Sequence, residues 1–291
     1  MNKQEQIKFI EDNYPVYTNH HSNRRLRHDF FKNIQTELQA YLLGFFAADG
    51  NINEKRKTFR IHLQQKDSEL VYLYKDIISP DARIFTVKPH EVTARNGMKV
   101  QGHESFGVDI CSTILCNDLV NLGYGYNKSY AELHLPDIDK SLISHFIRGF
   151  ADGDGSFSWY IPNEKNKKPR VKGCWSICSK TRTLFDDINN YLKENYQIEL
   201  NICLAKRDQM YILCTSSRDK IKKLYEILYK DSNFSLSRKF NKLKHYANTE
   251  VTQLIDEYRN AQKVNVSESN NLSKSTELPT DNSGKIMCAE Q

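Results

Sequence analysis

The chain has 291 residues, 39% hydrophobic and 27% charged, with a formal net charge of +6. That is enough apolar material for one large domain or two ordinary ones, and no apolar run approaches the roughly 20 residues of a membrane-spanning helix. The seven cysteines form no paired C-x-x-C motifs, which argues against zinc and for buried, reduced thiols.

The N-terminal MNKQEQIKFIEDN carries acids and no apolar signal-peptide core, so the expectation is a soluble, intracellular protein of a bacterial, phage-host or organellar compartment. Its basic excess fits a polyanionic partner, because Lys and Arg neutralise phosphates and release counterions.

Residues 1–36 read as a polar, basic lead-in containing NRRLRHDFFKN, either a DNA-contacting arm or a solvated charge cluster. The first half, 37–135, opens on YLLGFFAADG (41–50), a buried helix broken by Gly44 and closed by Asp49-Gly50. TFRIHLQQ follows with the alternation of a strand, KDSELVYLYKDII with the period of a helix, and ARIFTVK as a second strand. A loop with the turn signal Asn96-Gly97 leads to strand SFGVDICS and helix TILCNDLVNLG.

Residues 136–141 form a linker, and the second half, 142–262, replays the order. FIRGFADGDG (146–155) precedes strand GCWSICS, helix TRTLFDDINNYLKENY, strands IELNICLAK and QMYILCTS, and helix RDKIKKLYEILYK. Residues 263–291 are Ser/Asn/Thr-rich and read as a disordered tail. The fold class is therefore α+β, with duplicated αββαββα halves related by a pseudo-twofold axis and the two apolar helices packed at the centre.

Glycine inside a helix costs about 1 kcal/mol relative to alanine. Gly44 and Gly149 occupy the same place in both repeats, which predicts two helices in backbone-to-backbone contact. Gly50 and Gly155 suit the left-handed position that ends a helix. Each end also carries an acid, Asp49 or Asp154, where the helix dipole already places negative charge. Two such ends side by side combine carboxylates with unpaired carbonyls. A hard divalent cation would relieve that charge, and oxygen ligands favour Mg²⁺ or Mn²⁺. Carboxylates flanking metals activate water and stabilise the leaving oxygen in phosphodiester cleavage.

LLGFFAADG (42–50) and IRGFADGDG (147–155) resemble the two copies of the nine-residue motif of single-chain LAGLIDADG homing endonucleases, a likeness that extends over roughly residues 30–260. The resemblance implies a saddle of curved antiparallel sheets lying in the DNA major groove, with the helix ends over the minor groove. It implies Mg²⁺-dependent cleavage of both strands of a long asymmetric target, short 3′ overhangs, a monomer, and a role in intron homing.

Aligned to the motif, Asp49 and Asp154 fall at the metal-binding catalytic position. The sixth motif position, Asp152 in one copy and Ala47 in the other, is not a metal ligand in the family pattern. A water-positioning polar residue maps to Gln65, with Gln64 as its competitor, and to Ser179 in the second half. The supporting lysines of the family map to Lys128 in GYNKS and to Lys239, in the loop after the last repeat helix. A cation there would stabilise charge developing on the phosphate.

Base-reading side chains belong on groove-facing strands and their hairpin tips. In the first half these are Asn51, Asn53, Arg60, His62, Arg83 and Lys88. In the second they are Ser158, Asn163, Arg170, Lys172, Ser176, Lys206 and Arg207. The basic tips NEKRK (53–57) and NEKNKKPR (163–170) repeat at matching places and suit phosphate tracking. The leading function is a site-specific double-strand DNA endonuclease. The competing one is a non-cleaving nucleic-acid binder on the same fold, an intron RNA maturase or a DNA-binding regulator, for which loss of a motif acid would be expected. An intein is disfavoured, because no splicing half-domain precedes the first motif and the sequence does not end in His-Asn.

Overall fold

The computed structural model describes residues 1–19, 24–93, 97–126, 131–162, 168–206 and 209–260. The tail at 263–291 therefore lies outside the described residues, as do Lys128, Asn163 and Arg207. Among the described residues, one compact unit lies within 1–159 and 172–248, and a second comprises 160–162, 168–171 and 249–260. In the second unit, residues 251–260 are helical.

The first unit holds most of both halves. Helix α1 (Lys3–Asn13) and a hairpin of β1 (Tyr17–Asn19) and β2 (Arg24–Leu26) precede the first repeat. The repeat comprises α2 (Glu37–Asp49), β3 (Asn51–Asn53), β4 (Thr58–Gln64), a 3₁₀ turn (Gln65–Asp67), α3 (Ser68–Ile78), β5 (Ile84–Val87), a small β6–β7 hairpin (Glu91–Thr93, Lys99–Gln101), β8 (Ser105–Cys111) and α4 (Thr113–Asn121). The second repeat comprises α5 (Lys140–Asp154), β9 (Gly155–Tyr160), β10 (Lys172–Ser179), α6 (Thr183–Tyr196), β11 (Asn201–Ala205), β12 (Met210–Thr215) and α7 (Arg218–Leu228), followed by α8 (Ser237–Asn248).

The sheets run β3-β4-β8-β5 and β11-β12-β10-β9, so corresponding strands take corresponding places. The described pairings within both are antiparallel.

Helix α2 begins at Thr36, whose hydroxyl accepts from the Gln39 amide, and is buried on nearly every side. A helix this apolar needs cover all round, and α5 is its main partner, with β4 on another side. The inward residues of β4, Phe59, Ile61 and Leu63, are buried while Arg60, His62 and Gln64 face out. This is the period-2 pattern of a sheet with one covered face.

Three sequence expectations change. The N-terminal segment is folded rather than merely polar. Gln6 donates to Glu37 at 3.0 Å and accepts from the Leu38 amide, while Phe30 and Phe31 are fully buried. Within its basic cluster Arg25 pairs with Asp81, and Arg27 donates to the Ile77 carbonyl at 2.6 Å near the end of α3. Gly50 and Gly155 are extended, at φ −73° and −96°, not left-handed. Gly50 is instead needed for contact, since a Cβ there would lie 2.0 Å from the Phe46 ring. Among the six described cysteines only Cys116 is buried; Cys111, Cys174 and Cys203 are exposed. The register lines Cys178, Ile212 and Cys203 in one row of the second sheet and Ser176, Cys214 and Asn201 in the next. The thiols therefore follow the outward alternation of their strands.

Candidate active site at the paired helix ends

The crossing of α2 and α5 is the expected glycine contact. A Cβ on Gly44 would lie 2.0 Å from the Phe146 carbonyl oxygen, and one on Gly149 would lie 2.0 Å from that of Tyr41. Only backbone fits there. The same approach continues to the helix ends, where a Cβ on Gly153 would stand 2.4 Å from the Ala48 Cβ and 3.2 Å from Asp49 Oδ2. The Asp49 carboxylate thus lies over the last turn of the helix that carries Asp154. Both acids are exposed.

The carbonyls at the end of α5 are taken up by a lysine. Lys239 Nζ donates to the carbonyl oxygens of Asp152 (2.6 Å), Gly153 (3.0 Å) and Gly155 (2.6 Å), with Ala151 at 3.2 Å. An ammonium at a helix C-terminus neutralises the dipole and satisfies its orphan carbonyls. Burial pushes the Lys239 pKa down, against the opposing pull of Asp152 and Asp49. Lys239 also lies in the first turn of α8, not in the expected loop.

That turn is anchored on both repeats. Arg238 makes a bidentate pair with Asp67 (2.5 and 2.8 Å), at the end of the 3₁₀ turn that begins with Gln65. Ser237 donates through its amide and hydroxyl to Glu69, each at 2.8 Å. The Leu236 amide donates to Asp152 Oδ2 at 2.7 Å.

Asp152, the sixth motif residue, is 1% exposed. It accepts the hydroxyls of Tyr41 (2.9 Å) and Tyr229 (2.8 Å) as well as the Leu236 amide. Burial raises its carboxyl pKa, and these bonds hold it back. A turn of helix earlier, Arg148 is fully buried and donates to Glu37 at 2.8 Å, to the Phe234 carbonyl and to the Leu228 carbonyl. Asp152 and Arg148 therefore fasten the 229–236 segment to the central helices, which sets the height of α8 and of Lys239.

Of the other expected residues, Ser179 stays near Asp154. Ser179 is buried and accepts from the Thr181 amide at 3.2 Å. With Asp154, Lys180 and Thr181 it lines a cavity of about 190 Å³. Gln64 ends β4 on the outward face with Arg60 and His62, whereas Gln65 opens the 3₁₀ turn. Asn51 lies opposite Arg60, and Asn53 accepts from the Arg56 amide in the hairpin turn. Arg83 and Lys88 flank β5 and are exposed, as are Ser158 and Lys206. Ser176 faces outward and Lys172 begins β10. Arg170 is exposed and belongs to the second compact unit.

Sequence reasoning passed over Lys180, Arg238 and Asp67. The first two adjoin residues it named, and Asp67 has meaning only once α8 packs against it. Among the described residues no cluster of three or more His, Cys, Asp or Glu is set to hold a metal ion, so any cation held by Asp49 and Asp154 would complete its shell from water or substrate. No described helix is long and apolar enough to cross a membrane.

Paired acid-bearing helices between two antiparallel sheets define the LAGLIDADG class of fold. Residues 36–79 match the family model of the LAGLIDADG-like domain. Among solved structures, the meganuclease I-SmaMI bound to uncleaveable DNA aligns with TM-score 0.52 at 13% identity, covering 79% of this chain and 97% of that one. The LAGLIDADG meganuclease I-AabMI bound to uncleaved DNA aligns with TM-score 0.50 at 15% identity, covering 77% and 95%. No curated protein matches the sequence. The chain therefore shares the fold of the LAGLIDADG meganucleases, and residues 36–79, which include the first motif, match the family's sequence model.

Proposed function

We propose that the chain is a site-specific endonuclease of double-stranded DNA, acting as a monomer on a long asymmetric target and serving the homing of an intron or similar element. It hydrolyses one phosphodiester bond in each strand across the minor groove and leaves short 3′ overhangs. The observation that carries this reading is the contact of two acid-bearing helix ends, with the Asp49 carboxylate against Gly153 beside Asp154.

Two exposed carboxylates suit Mg²⁺ or Mn²⁺, which are commonly held by one or two carboxylates with water and phosphate oxygens filling the shell. Such an ion, when bound, lowers the pKa of water and screens the leaving oxygen. Asp49 and Asp154 would hold it. Lys239 fixes the end of α5 and so the position of Asp154. Lys180, in the cavity shared with Asp154 and Ser179, offers a positive charge to the phosphate as its negative charge grows. Gln65 and Ser179 position water, and Lys128 is proposed as the first-half counterpart of Lys239.

The test is cleavage of a randomised long-duplex library in Mg²⁺, comparing the wild type with Asp49→Asn and Asp154→Asn. Specific cutting by the wild type that is lost in both variants is expected. Binding without cutting, in Mg²⁺ or Mn²⁺, would overturn the nuclease reading in favour of the non-cleaving binder.

A further inference from the structure

The outward face of the first sheet carries a built cluster. Arg60 and Asp109 stand directly opposite on β4 and β8. Arg60 Nε donates to Asp109 Oδ1 at 2.7 Å and Nη2 to Oδ2 at 2.6 Å. Phe85 of β5 lies beside the pair, its ring centroid 5.6 Å from the guanidinium carbon and 5.4 Å from the His62 ring. The ring can lie across the sheet because its cross-strand neighbour is Gly107, where a Cβ would come within 2.2 Å of it. His62 is tied in turn to Ser105 at 2.9 Å. The Arg60 side chain nevertheless remains 50% exposed.

A free arginine on a strand samples many rotamers, and ordering it on a ligand costs side-chain entropy. Here the carboxylate takes the Nε–Nη2 edge and the aromatic ring holds one side. The Nη1 end and the outer Nη2 hydrogen then face away from the carboxylate as a fixed fork. That fork matches the O6 and N7 acceptors of guanine in the major groove. The same fork would also fit a phosphate; its place on β4, a central strand of the sheet rather than a hairpin tip, is what favours a base edge. The second sheet offers nothing comparable at its centre, where Ser176, Cys178, Ile212 and Cys214 present short or apolar groups.

We infer that Arg60, oriented by Asp109 and Phe85, reads a guanine in the half-site covered by the first repeat, with Asp109 as the positioning residue. This rests on duplex DNA being the substrate. The test measures Kd at fixed salt for the selected target and all its single-base-pair variants, with the wild type, Arg60→Ala and Asp109→Asn. The expected result is a guanine preference of about tenfold at one position, lost in Arg60→Ala and reduced at that same position in Asp109→Asn, with other positions unchanged. A uniform loss of affinity in Arg60→Ala, with a shallower salt dependence, would make Arg60 a phosphate contact and overturn the inference. An unchanged base preference in Asp109→Asn would remove the positioning role. Failure of the wild type to bind any duplex would overturn the proposed function itself, a result distinct from both.

Discussion

Lys239 donates to the backbone carbonyl of Asp152 at 2.6 Å, and so the second repeat closes its central helix with a side chain from far along the chain. Lys239→Met removes the ammonium and leaves the final carbonyls of α5 unsatisfied in a partly buried place. A loss of about 2 kcal/mol in unfolding free energy is expected from one unpaired buried group, measurable by urea titration. Loss of cleavage should exceed what the fraction unfolded explains, because the end that carries Asp154 loosens.

Asp152→Ala strands two buried tyrosine hydroxyls and the Leu236 amide. The expected cost is roughly 2–5 kcal/mol, read as a lower melting temperature. Asp152→Asn keeps one acceptor oxygen, and a tyrosine hydroxyl can rotate to accept from its amide. It should therefore retain most of the stability, and equal loss in both variants would contradict the hydrogen-bonding account.

Burial pushes the Glu37 carboxyl up, but Arg148, Asn233 and His145 outweigh it and its pKa ends below the ordinary value. A carboxyl lowered in the folded state adds stability above its unfolded pKa and loses it as pH falls through the folded value. His145, pushed down to about 4 by burial and Arg148, acts with the same sign, because the unfolded chain takes up its proton at a higher pH than the folded one does. Asp152, raised by burial, acts with the opposite sign. Melting temperature should begin to fall below about pH 6.5, through His145, and fall further below about pH 4.5, through Glu37. Glu37→Gln should flatten part of that fall while costing about 3–5 kcal/mol at pH 7, where Arg148 stays buried without its anion.

Gly44→Ala and Gly149→Ala each drive a methyl into backbone, which cannot rotate away. Each should cost about 3 kcal/mol or more and broaden thermal unfolding. Gly50→Ala meets the Phe46 ring, which is buried and stacked on Phe59, so it should lower the melting temperature as well.

The sequence by itself determined the repeat and its centre. Alternation in TFRIHLQ, the apolar run around Gly44 and its echo around Gly149 are local patterns, and local geometry converts them into strands and a close helix pair. The acids at the helix ends were legible for the same reason. Tertiary structure alone decided how those ends are held. The partners of Lys239 lie 84 to 88 residues earlier in the chain, and Asp152 is joined to Tyr41 111 residues away. Arg60 meets Asp109 only through the register of β4 against β8. A composition rule calls cysteine buried, but a strand's alternation turned Cys174 and Cys203 outward. The conformation of Gly50 was likewise set by the Phe46 ring packed against it, since crowding and pairing depend on what the fold brings near, and spacing along a chain does not encode that.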